Sequence, residues 1–138
     1  MTDPKTIAVA IKNDLSEIER LAHIVNDFVA CNHLPSRVAF DLNLALDEIL
    51  TNVISYGYDG GEHSINIRGH VAGETITIEI EDDGRPFDPL AAPEPDLTAA
   101  LDERPIGGLG VHLVRKLTDQ QEYRRHEGKN LLILKKNV

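Results

Sequence analysis

Between residues 5 and 12, KTIAVAIK, apolar and polar positions alternate and β-branched residues recur, the period-2 pattern of a strand. From Asp14 to about His33 the period lengthens: Leu15, Ile18, Leu21, Ala22, Val25, Phe28 and Val29 recur at helical spacing, with Asp14 or Ser16 available as the N-cap. Pro35 and Ser36 open a second helix running to about Tyr56, where Gly57 and the run Asp59-Gly60-Gly61 end it. HSINIRGHV and ETITIEIED then alternate again around a turn at Ala72 and Gly73, and so predict a hairpin. Residues 83 to 107 hold five of the seven prolines and form a long loop, with room for one helical turn near LTAAL. Loops of that length in compact domains are usually functional or disordered. A third helix from about Gly108 to Thr118, then strands near QEYRRHE and NLLILKKN around a turn at Gly128 and Lys129, complete the pattern. The order β, α, α, β, β, loop, α, β, β predicts an α+β fold, with about three helices layered on one face of a mixed or antiparallel sheet. No repeat or linker divides the chain, and its 138 residues suit a single domain spanning residues 1 to 138.

Composition narrows the function classes. A hydrophobic fraction of 41% and a charged fraction of 27% are ordinary for a globular protein, and no apolar run approaches the roughly 20 residues that span a bilayer. No membrane partner is expected. The opening residues, MTDPKTIAVAIKND, lack the basic start and apolar stretch of a secretory signal, so the expected location is the cytoplasm. The lone cysteine, Cys31, excludes an internal disulfide, and its place in the run IVNDFVAC suggests core packing. A formal net charge of −9 without a cluster of Lys and Arg argues against direct nucleic-acid binding. It also means that an anionic ligand must be held by backbone amides, a metal ion or a few local cations.

Three segments carry candidate chemistry. On the second helix, at about 100° per residue, Leu42, Leu46, Ile49 and Val53 share a narrow sector while Asp41, Glu48, Asn52 and Ser55 form a stripe along its flank. Glu48 and Asn52 therefore project together, although a bare E-x-x-x-N is also the signature of two solvated helix residues. In EDDGRPFDP a strand runs into acidic residues followed by Gly84 and Pro86, setting a carboxylate where the backbone turns sharply. Such a carboxylate can accept a hydrogen bond from an exocyclic amine while glycine lets a flat ring approach; a surface turn is the simpler alternative. In PIGGLGVHLVRKL, glycines at 107, 108 and 110 open an amphipathic helix whose Val111, Leu113, Val114 and Leu117 can pack inward. Free amides at a helix N-terminus form an anion site, which meets the constraint set by the acidity. No Lys-Ser or Lys-Thr follows the glycines and no strand precedes them, which excludes a Walker loop and a dinucleotide fingerprint.

The order E-x-x-x-N on a helix, D-x-G at a strand end and G-G-x-G after a long loop resembles the N, G1 and G2 boxes of the histidine kinase-like ATPase superfamily, which includes gyrase, histidine kinases and the large heat-shock chaperones. The resemblance covers nearly the whole chain and implies the two-layer α/β sandwich of that family. Within it, Asn52-x-x-x-Tyr56-Gly57-Tyr58, the GRPFDP form of the G1 box and GGLGVHLVRKLTD are similar to the small bacterial anti-sigma factor serine/threonine kinases. That resemblance implies ATP and Mg²⁺ as cofactors. Asn52 would hold the metal, and Glu48 would act as general base toward a serine or threonine hydroxyl. Asp82 would accept from the adenine amine, Gly84 would lie along the ring, and Gly108 and Gly110 would give amides to phosphate. Residues 88 to 107 would form a lid, with Arg104 the local cation able to reach the γ-phosphate.

The implied activity is phosphorylation of a small anti-sigma factor antagonist. The implied partners are that antagonist, a sigma factor and a second copy of the chain in a homodimer. Arg20 lies where relatives use an arginine for partner contact. Three departures from the family pattern stand out. Pro86 occupies the place of a second glycine, Asp83 adjoins Asp82 so that D-x-G must fix the register, and Tyr56 replaces a histidine. Two other readings stay open: a nucleotide-gated binding module without phosphotransfer, and a histidine-kinase-type catalytic domain acting in trans. The six histidines, including His63 and His70, lack ligand-type spacing and suggest no metal site.

Overall fold

The computed structural model describes residues 5–88 and 108–138, with side chains of the second segment described from residue 112. Its elements are β1 (Thr6–Lys12), α1 (Glu17–Cys31), α2 (Ser36–Tyr56), β2 (Ser64–Ala72), β3 (Thr75–Asp82), α3 (Gly108–Leu117), β4 (Gln120–His126) and β5 (Lys129–Asn137). The five strands form one sheet in the order β1-β2-β3-β5-β4, and every neighbouring pair is antiparallel. The expectation of a helix layer on one face of the sheet holds, and no parallel pairing occurs among the described strands. No helix among the described residues is long and apolar enough to cross a membrane.

The alternation along the strands fixes which face the helices cover. Ile65 and Ile67 of β2, Ile76, Ile78 and Ile80 of β3, and Leu132 and Leu134 of β5 are buried against Leu21, Val25, Phe28 and Val29 of α1 and Leu42, Leu46, Ile49, Leu50 and Val53 of α2. Val114 of α3 joins the same core. Each such side chain contributes about 1.5–3 kcal/mol when fully covered. The opposite face carries Ala8, Ala10, Arg68, Glu79 and Glu81, where Arg68 pairs with Glu79 at 3.1 Å and with Glu81 at 3.8 Å. Polar and small residues at one parity and aliphatic ones at the other are what an antiparallel sheet with a single covered face requires.

Local details depart from the sequence reading in four places. Helix α1 starts at Glu17, because the Asp14 carboxylate accepts from both the Ser16 amide and the Ser16 hydroxyl at 3.0 Å and so forms a turn ahead of the helix. Leu15, placed in the apolar stripe on spacing alone, precedes that helix and is exposed. Cys31 is exposed rather than core, since the buried positions of α1 recur at 21, 25, 28 and 29 and position 31 falls off that stripe. The β4–β5 turn consists of Glu127 and Gly128, with φ of 50° and 78°, because His126 pairs with Lys129. Two consecutive left-handed residues match the twist of a two-residue hairpin, and glycine adopts one of them without strain.

Truncating Ile78, fully buried on the central strand, is expected to lower the unfolding free energy by about 2–5 kcal/mol in urea denaturation of Ile78→Ala. Ala8→Ser on the open face is expected to stay within about 0.5 kcal/mol of the parent. Equal midpoints for the two variants would contradict this placement of the core.

Candidate functional site

The polar stripe of α2 divides into structural and candidate functional parts. Asp41 at its start pairs with Lys136 Nζ at 3.1 Å, and the same ammonium donates to the Leu117 carbonyl at 2.8 Å. One half-buried lysine thus ties α2, β5 and the C-terminal end of α3 together, where a cation also suits the helix dipole. Helix α3 packs along α2 with its last turn beside Asp41. Its ten residues rise about 15 Å, close to the roughly 16 Å that separate Asp41 from Asn52 along α2. The two helices therefore run antiparallel, and the Gly108 and Gly110 end of α3 is directed toward the turn of α2 that carries Glu48 and Asn52.

Asn52 is only 8% exposed, and its side chain makes no hydrogen bond among the described residues. The residue is largely buried while its amide stays open at the surface, where a ligand or water can satisfy it. Glu48, one turn earlier, is half-buried and has no ion pair or hydrogen bond among the described residues. A neutral oxygen donor beside a carboxylate, both unengaged, suits a hard, partly hydrated cation such as Mg²⁺.

The second cluster lies at the end of β3. Asp82 is 6% exposed, and its Oδ1 accepts from the Gly84 amide at 2.9 Å and from Asn130 Nδ2 at 3.0 Å. Burial raises the pKa of this carboxyl above the ordinary aspartate value, an effect opposed by those two donors. A raised acid pKa means that the ionised carboxylate weakens the fold above that pKa, a loss that disappears as the pH falls below the unfolded-state value. Oδ2 makes no hydrogen bond among the described residues.

Gly84 has an intramolecular reason to be glycine besides any bound ring. A Cβ there would come within 2.6 Å of the Gly57 carbonyl oxygen, and the same oxygen accepts from the Arg85 amide at 2.8 Å. Gly57 itself caps α2, its amide donating to the Val53 carbonyl at 2.8 Å. The turn after β3 is thus seated directly on the C-terminal end of the helix that carries Glu48 and Asn52. Tyr58 follows, its ring stacked on His63 at 4.5 Å. Its hydroxyl is buried without a hydrogen bond of ordinary geometry, although Asp82 and Asp83 lie nearby, and burial pushes its pKa up.

Glu48, Asn52, Asp82 and Gly84 are brought to one end of α2, and Gly108 and Gly110 open the helix directed at that end. Arg104 and the expected lid, apart from Asp88, lie outside the described residues. Arg20 is on α1, half-exposed, its guanidinium bonded to Glu17 at 2.8 Å and to the Ala10 carbonyl at 2.9 Å. A hollow of about 330 Å³ also touches Asp82, but Glu62, Glu81 and Asp83 line it, and that acidity repels a polyanion.

Asn130, Tyr123 and Arg125 were not anticipated. Asn130 is 5% exposed and shares the inward parity of Leu132 and Leu134, so a polar residue at a core-facing strand position was the available signal. Arg125 donates to the Gly84 carbonyl at 2.8 Å from the neighbouring strand.

Comparison with known proteins follows the same lines. Residues 11–136 match the family described as "Histidine kinase-like ATPase domain". The chain is 32% identical over 100 residues to the serine/threonine-protein kinase BtrW of Bordetella bronchiseptica, covering 72% of this chain and 70% of that protein. It is 31% identical over 94 residues to the anti-sigma F factor of Thermoanaerobacter sp. (strain X514), covering 67% and 65% respectively. Among solved structures, that of the RsbU and RsbW domains of Rv1364c from Mycobacterium tuberculosis superposes with a TM-score of 0.69 at 12% identity, over 96% of this chain and 32% of that one. The last of these supports the fold alone, while the family match spans every described element except the first five residues of β1 and the final two residues of the chain. With Asn52 and the Asp82 turn at one end of α2 and a family match from residue 11 to residue 136, the chain belongs to the histidine kinase-like ATPase family.

Proposed function

We propose that the chain is an ATP-dependent protein serine/threonine kinase acting as an anti-sigma factor, which phosphorylates a small antagonist protein in a partner-switching system. The observation that carries this reading is the unpartnered, buried Asn52 one turn from Glu48, at the end of α2 on which the Asp82 turn is seated. Proteins named as a serine/threonine kinase and as an anti-sigma factor, at about 30% identity, support the same choice.

In this mechanism Asp82 accepts from the exocyclic amine of adenine; guanine presents a carbonyl there, which a carboxylate repels. The freed amides at Gly108 and Gly110 bind phosphate oxygens, so the negative charge of the chain is no obstacle. The Asn52 side-chain oxygen would hold Mg²⁺, which when bound neutralises charge on the phosphates. Glu48 takes the proton of the substrate serine or threonine hydroxyl as its oxygen bonds to the γ-phosphorus. The bond to the β–γ bridging oxygen breaks, and ADP leaves. Phosphorylated antagonist releases the kinase, which then holds the sigma factor as a homodimer, with Arg20 on α1 as a partner contact and Arg104 as a cation toward the γ-phosphate.

With γ-labelled ATP, Mg²⁺ and the antagonist, acid-stable label is expected on the antagonist, and Glu48→Ala is expected to reduce transfer by about 100-fold or more while ADP affinity stays within about threefold. Absence of transfer with intact nucleotide binding would leave only a nucleotide-gated clamp, and acid-labile label would point to a histidine-directed enzyme. Asn52→Ala should cost ATP affinity in Mg²⁺ and little in its absence, which calorimetry reads directly. Asp82→Asn should weaken ADP binding by about tenfold or more, the loss of one charge-assisted hydrogen bond, while the melting temperature at pH 7 holds or rises because a buried charge is removed. Undiminished ADP affinity would remove Asp82 from the base site.

A further inference from the structure

The β4–β5 hairpin contributes a group to the base site that none of the three boxes contains. The Asn130 amide engages all four of its hydrogen-bonding positions. Nδ2 donates to Asp82 Oδ1 at 3.0 Å and to the Arg85 carbonyl at 2.8 Å. Oδ1 accepts from the Tyr123 hydroxyl at 2.5 Å and from the Phe87 amide at 3.4 Å. A carboxylate and a carbonyl accept only, and a backbone amide donates only, so the partners dictate which way the amide faces. No other side chain of this size offers two donors and two acceptor positions in one plane: aspartate has no donor, and serine or threonine has one.

Asp82 Oδ1 receives two donors, one from Gly84 in its own turn and one from Asn130 across the sheet. Both lone pairs of that oxygen are then used, and Oδ2 is left as the acceptor. The turn that follows is held on both sides. On the side of α2, the Gly57 carbonyl takes the Arg85 amide; on the side of the hairpin, Arg125 takes the Gly84 carbonyl and Asn130 takes the Arg85 carbonyl and the Phe87 amide.

We propose that Asn130 is a positioning residue for base recognition: by saturating Asp82 Oδ1 and fixing the turn after β3, it presents Oδ2 as the single acceptor for the exocyclic amine of an adenine-type base. This inference rests on the assignment of Asp82 to the base. Asn130 acts through Asp82 and touches no reacting atom. Tyr123, which donates to the amide oxygen, sets the orientation of Asn130 in turn.

Its loss removes a donor that favours the charged carboxylate, so the Asp82 carboxyl should titrate at higher pH. Among the described residues the other charged or titratable groups near Asp82 are Asp83 beside it, Tyr58 after α2, Arg125 and Tyr123 on β4, and Glu62, His63, Glu81 and Lys129 around the adjoining hollow, all of which the substitution of Asn130 leaves in place. The test compares the parent chain, Asn130→Ala and the milder Tyr123→Phe by calorimetry with ATP and with GTP across pH. The Asp82 carboxyl is followed in parallel by ¹³C NMR without nucleotide. The expected result is an ATP-over-GTP preference reduced about tenfold in Asn130→Ala, with the Asp82 midpoint moved up by about one pH unit, and a smaller change in the same direction in Tyr123→Phe at unaltered melting temperature. A merely structural asparagine would weaken both nucleotides alike and leave the ATP-over-GTP preference where it was, and that outcome overturns the proposal. Should Asn130→Ala not fold, Tyr123→Phe alone decides, since an unchanged preference and midpoint there overturn it equally. A parent chain that binds ATP and GTP alike removes the base assignment itself, whereas a parent preference that survives both substitutions removes only the role of Asn130.

Discussion

Asp82 ends the central strand of the sheet at 6% exposure, and an ionisable group that deep must be matched by donors, neutralised, or left at a large loss of free energy. The chain matches it with the Gly84 amide and the Asn130 side chain, and those two donors can meet one oxygen only if the backbone turns sharply after β3 and β5 runs beside it. The turn in turn needs a glycine, because it rests on the Gly57 carbonyl with no room for a Cβ. One buried carboxylate thus connects the sheet register, the turn and the C-terminal end of α2.

The helix layer is organised by a second polar contact. Lys136 joins Asp41 to the Leu117 carbonyl and so sets α3 antiparallel along α2. That direction aims the amide end of α3, rather than its carbonyl end, toward the turn of α2 that carries Glu48 and Asn52, and an amide end is the one that favours an anion. The apolar core supplies the stability on which both contacts draw, while the polar contacts choose among the ways in which these elements can pack.

Much of this was legible along the chain. All eight elements followed from periodicity and from turn or cap residues, because a strand with one covered face repeats every two residues and an amphipathic helix every three or four. The errors lie where spacing alone has no purchase. Leu15 fitted the helical period but precedes the helix, since the Asp14 side chain captures the Ser16 amide and hydroxyl first. Cys31 was assigned to the core from its apolar neighbours, yet the stripe of α1 passes it by. The hairpin turn moved by one residue because the pairing of His126 with Lys129 claims the lysine for the strand.

The sequence by itself determined the residue types the site would contain: a carboxylate and an amide one helical turn apart, an aspartate at a strand end, and glycines opening a helix. These are local facts, set by i to i+4 geometry and by turn chemistry between neighbours in the chain. Only the tertiary structure decided that Asn52 is buried without a partner among the described residues, that Asp41 belongs to the scaffold rather than the site, and that Asn130 reaches across 48 positions to hold Asp82. Contacts between residues so far apart depend on strand register and helix direction, which arise when the whole core packs and leave no mark in the spacing of either residue's neighbours.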